Sequence, residues 1–81
     1  MKRKSDIRIG QRYVVAARQL FPDISDKKIA KIIGCSPGML YEWQEGKAPS
    51  GIYMQRLCYL GADINWILTG RSKQNEDNFR P

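Results

Sequence analysis

One stretch, residues 25–46, SDKKIAKIIGCSPGMLYEWQEG, constrains the fold more than any other. It holds two helix starts and two helix stops in quick succession. Ser25 is a good N-cap, and Asp26 suits the positive end of the helix dipole in the first turn. Ile29, Ala30 and Ile33 follow at three- and four-residue steps, which makes one apolar stripe and leaves Lys27, Lys28 and Lys31 outside. Gly34 ends this helix, because the turn calls for a positive φ that a Cβ disfavours. Ser36 caps a new helix with Pro37 at N1, where its missing N–H does no harm. Leu40 and Trp43 face one side of it, and Gly46 is its C′ stop. The spacing predicts two short helices joined by a tight turn, with the small Ala30 where they cross. That is the pattern of a helix-turn-helix, and it leaves the outer face of the second helix free to lie in a DNA major groove.

The flanking sequence extends the same architecture. Tyr13, Val14, Ala17, Leu20 and Phe21 predict a helix over residues 11–21, stopped by Pro22, with Arg12 and Arg18 outward. Pro49-Ser50 opens a fourth helix reaching to residue 60, with Ile52, Leu57, Cys58 and Leu60 as its core contribution. Asp63 caps a last helix over residues 64–69, which buries part of Ile64, Trp66, Ile67 and Leu68, and Gly70 closes it. Trp43 and Trp66 read as core or near-core residues, and Tyr53 and Tyr59 as surface or dimer contacts. No segment alternates apolar and polar residues, and no Asn-Gly or Asp-Gly hairpin occurs. The expectation is an all-α fold of five helices. Residues 1–9 form a basic arm, residues 10–70 the domain, and residues 71–81 a polar tail that reads as disordered or as linker.

Composition narrows the function. The 81 residues allow one small domain with a modest core. A net charge of +6 points to a polyanion, nucleic acid or anionic lipid. The start of the chain is basic but has no apolar h-region, and no apolar run nears the ~20 residues of a membrane span. A cytoplasmic protein without membrane attachment is expected. The chain has no histidine, and Cys35 and Cys58 form no CxxC pair, so no usual zinc site is available. Both cysteines are expected to be buried free thiols. The acids are scattered, so no general acid/base constellation suggests an enzyme. No cofactor, metal or small-molecule ligand is expected.

The segments Ile29-Ala30, Gly34-Cys35-Ser36, Leu40, Trp43 and Gly46, followed by Pro49-Ser50, Leu57, Leu60-Gly61 and the ending Asn65-Trp66-Ile67-Leu68-Thr69-Gly70, resemble the lambda-repressor-like (XRE/Cro-type) helix-turn-helix domains of phage repressors. The resemblance implies a transcriptional regulator, usually a repressor, that binds an inverted-repeat operator as a homodimer. It implies base contacts from the third helix at Ser36, Pro37, Gly38, Tyr41, Glu42 and Glu45. It places phosphate contacts at Asp26, Lys27 and Lys47. The chain departs from the family at Asp26, where Gln is common, and at Pro37 and Gly38, which carry no side-chain donor.

The chemistry of the proposed face is mixed. Gly38, Tyr41, Glu42 and Glu45 fall on one stripe. Gly38 permits close approach of a groove wall, and Tyr41 offers a hydroxyl to phosphate or a ring to a thymine methyl. Glu42 suits a cytosine N4 amine, or equally an ion pair within the protein. Two acids facing a polyanion carry an electrostatic cost. Affinity then falls to the periphery: Lys2, Arg3 and Lys4 of the arm, Lys27, Lys28 and Lys31, and Lys47. The lysines read otherwise as plain solvated charge. The acidic stripe also admits a protein-interaction module, an antirepressor or antitoxin, on the same fold.

Overall fold

The first helix sits at the centre of the fold. In the computed structural model, which describes residues 8–71, α1 (Arg8–Leu20) packs against α2 (Asp26–Ile33), α3 (Pro37–Gln44) and α5 (Ile64–Thr69). The remaining helix, α4 (Gly51–Tyr59), packs on α2 and α5. Among the described residues there is no strand, and the fold is all-α. The arm residues Lys2, Arg3 and Lys4, and residues 72–81, lie outside the described residues.

The helix boundaries follow local chemistry. Ser25 and Ser36 cap α2 and α3 by accepting from the backbone N–H groups of Lys28 (3.3 Å) and Met39 (3.2 Å). Asp63 does the same for Trp66 at 3.1 Å. Gly34 takes φ 92°, and the N–H groups of Gly34 and Cys35 both donate to the Ala30 carbonyl. The ends of α3 and α4 are Schellman motifs: Lys47 N–H returns to Glu42 O, and Ala62 N–H to Leu57 O, both at 3.0 Å.

The core is aromatic at its centre and aliphatic around it. Tyr13, Val14 and Ala17 of α1 meet Ile29, Ala30 and Ile33 of α2, Leu40 and Trp43 of α3, Leu57 of α4 and Ile67 of α5. Tyr13 stands edge-on to Trp43 with ring centroids 4.9 Å apart, and Tyr53 tilts against the same indole at 5.2 Å.

Several expectations need correction. The first helix starts at Arg8 rather than residue 11, so it contains Gly10. Gly10 is buried, and a Cβ there would collide with the backbone oxygens of Trp43 and Lys47. Its missing side chain lets the start of α1 seat on the end of α3. In α4 the buried stripe is Tyr53, Met54 and Leu57, the last fully buried and the others half-buried. Ile52, Cys58 and Leu60 fall on other faces and are exposed. Cys58 is therefore an exposed thiol, and Tyr53 is a core neighbour rather than a surface residue. Arg12 is half-buried. It donates to the carbonyls of Ile67 (2.8 Å) and Leu68 (3.3 Å), capping the last turn of α5.

Candidate nucleic-acid interface

The second and third helices present one continuous outer surface. The turn between them, Gly34-Cys35-Ser36, is held from behind by Arg56 of α4. Its guanidinium donates to the Ile33 carbonyl at 3.0 Å and lies over the Tyr53 ring, 5.4 Å from its centroid. Tyr53 in turn packs on Trp43. The turn and the inner face of α3 are thus braced by the same aromatic group.

All six residues expected to contact bases, Ser36, Pro37, Gly38, Tyr41, Glu42 and Glu45, are exposed. Only Leu40 and Trp43 of α3 are buried. Tyr41 is 63% exposed, and Gly38 faces open space, with only Ser36 Oγ within 4 Å of where a Cβ would stand, at 3.7 Å. Met39 is half-buried and receives the Tyr53 hydroxyl at 3.9 Å.

The expected phosphate-contacting residues divide into two groups. Lys27, Lys28 and Lys31 are exposed and, among the described residues, in no ion pair. With Cys35 and Pro37 they line a groove of about 430 Å³ between α2 and the start of α3. Its floor is mostly apolar and its rim is cationic. Burial pushes the Cys35 thiol up, with the Arg56 charge opposing, so this group stays a thiol at neutral pH. Asp26 and Lys47, by contrast, are paired. Lys47 Nζ lies 3.6 Å from Glu42 Oε1. Asp26 takes both of its carboxylate oxygens to Arg18. The hydrogen bonds from Arg18 hold the Asp26 carboxyl below the usual carboxylate range, and the same pairing raises Arg18.

Three residues brace this surface without a functional role in the sequence reading: Arg18, expected only to point outward, Gln44 and Arg56. Arg18 reaches from the last turn of α1 to Asp26 and to Gln44 Oε1, at 2.9 Å, and so touches three helices. Gln11 Nε2 also donates to the Gln44 carbonyl at 3.3 Å. The only signal for Arg18 was the short Pro22-Asp23 loop, which brings the end of α1 beside the start of α2. Among the described residues no group of His, Cys, Asp or Glu could hold a metal ion, and no helix is long and apolar enough to cross a membrane. No family model, no curated protein and no solved structure matches the chain.

Proposed function

We propose that this protein is a sequence-specific regulator of transcription that binds double-stranded DNA through α3. The domain is of the lambda-repressor-like, helix-turn-helix kind, acts in the cytoplasm, and represses from an inverted-repeat operator as a homodimer, in the manner of phage and prophage repressors. The observation that carries the reading is the pairing of a fully outward α3 face with the unpaired Lys27, Lys28 and Lys31 beside it. The lysines supply attraction to phosphates whatever the sequence. Tyr41, Glu42 and Glu45 supply groups that distinguish base edges, each good polar contact contributing about 1–3 kcal/mol of discrimination. The N-termini of α2 and α3 add backbone N–H groups suited to phosphate. Twofold symmetry follows if each protomer reads one half-site about one helical turn from the other.

The test is selection from a randomised duplex library at about 150 mM salt, where non-specific attraction is already weakened. Enrichment of an inverted repeat, bound at least ~10³-fold more tightly than random duplex, supports the reading. Equal affinity for every duplex sinks it.

A second reading, a protein-interaction module, rests on a different surface. Ile32, Tyr59 and Leu60 are exposed apolar side chains that line, with Arg56, a groove of about 380 Å³ between α2 and α4. Charge reversal at Lys27, Lys28 and Lys31 that left biological activity intact would favour this reading over DNA binding.

A further inference from the structure

A two-pronged ion pair on the candidate face joins two charges that cancel. Arg18 directs Nε and Nη2 at the two carboxylate oxygens of Asp26, at 3.1 and 2.7 Å. Nη2 also donates to Gln44 Oε1. The guanidinium therefore sits where the first turn of α2 meets the last turn of α3. The pair is not buried: the two side chains are 46% and 50% exposed. A planar fork that grips a carboxylate through two parallel N–H bonds fits two oxygens of a phosphodiester equally well. In this chain the carboxylate fills the fork first.

Building on the DNA-binding reading, we propose that Asp26 is an affinity-limiting residue, whose carboxylate occupies the Arg18 fork and withholds that cation from the phosphates of a duplex. Asp26 is thus an internal stand-in for phosphate rather than a phosphate contact. Its effect is to hold down binding to any duplex, and so to leave a larger share of the binding free energy to base contacts.

A salt titration of four proteins tests this: the wild type, Asp26→Asn, Arg18→Gln and the double variant, each with a mixed-sequence duplex between about 50 and 200 mM salt. Asp26→Asn is expected to steepen the log–log salt slope by about 0.9, the increment of one phosphate contact, and to tighten binding about fivefold near 150 mM. Both gains are expected to vanish in the Arg18→Gln background. An equal gain in both backgrounds overturns the proposal, because Asp26 would then act only as a negative charge, and so does an unchanged slope. Should Arg18→Gln fail to fold, Arg18→Met takes its place, keeping the apolar stem without the charge. The gain from Asp26→Asn must then shrink, and an undiminished gain overturns the proposal. A wild type with no salt-dependent affinity for duplex overturns the DNA-binding reading itself, which is a separate result.

Discussion

The hydroxyl of Tyr13 donates a 2.6 Å hydrogen bond to the main-chain carbonyl of Tyr53, joining α1 to α4 across the core. These two helices share few other contacts. The bond fixes Tyr53, which supports both Trp43 and Arg56, and through them the turn before α3.

Alkaline stability should depend on this residue. Burial, with a smaller contribution from Cys35, pushes the Tyr13 hydroxyl far above its ordinary value of 10.0. The folded state thus holds the proton more tightly than the unfolded chain. The resulting stability is fully present below pH 10 and is lost as pH rises above it. Tyr13→Phe should cost about 1 kcal/mol at neutral pH for the lost hydrogen bond. It should also flatten the alkaline decline relative to wild type, which removes the lysines as the cause. Denaturant midpoints for both proteins across this range check the point.

Two glycine-to-alanine changes should have opposite effects. At Gly10 the new methyl meets backbone oxygens, which cannot move aside without shifting α1 or α3. The expected loss is about 3 kcal/mol, at the upper end of ordinary overpacking. At Gly51 nothing lies within 4 Å of the new atom. There the expected change is a gain of about 0.4–1 kcal/mol, from reduced freedom of the unfolded chain. Thermal melts of the two variants side by side provide the comparison.

Gly38→Ala separates stability from binding. The site is open and within a helix, so alanine should stabilise the fold by roughly 0.5–1 kcal/mol. If the backbone at this position approaches a groove wall, the same change weakens duplex affinity while the melting temperature rises. Unchanged affinity would remove Gly38 from the contact surface.

The Arg18–Asp26 pair gives an acid limb. Because Asp26 is held below its ordinary 3.8, the pair contributes fully above that pH, and its contribution is lost as pH falls beneath it. Both side chains are about half-exposed, so the contribution is small, about 0.2–1 kcal/mol. Arg18→Gln should show that much less acid sensitivity in chemical denaturation, and a decline as steep as wild type would count against the pairing.

The sequence made the helix caps legible because capping is local. Ser25, Ser36 and Asp63 each act on an N–H three residues away, and Gly34 acts on its own φ. The inner stripes of α2 and α3 were legible for the same reason. What the sequence concealed depends on contacts between distant segments. Gly10 carries no signal until the end of α3 is seen against it. The apolar residues of α4 exceed what its neighbours cover, so periodicity alone could not choose Tyr53 and Met54 over Ile52, Cys58 and Leu60. Arg12 and Arg18 read as outward charges, and Arg56 drew no reading. Each instead reaches partners on other helices: carbonyls at the ends of α5 and α2 for Arg12 and Arg56, and Asp26 and Gln44 for Arg18.

The division of α3 into two buried residues and an otherwise outward face has an evolutionary consequence. Leu40 and Trp43 anchor the helix, and Ser36 begins it, while Tyr41 and Glu45 touch nothing that the core requires. Mutations at these outward positions are close to neutral for folding, so a lineage can retarget the surface one residue at a time without passing through unfolded intermediates. The scaffold tolerates drift on its outward face and resists it on the opposite side of the same helix.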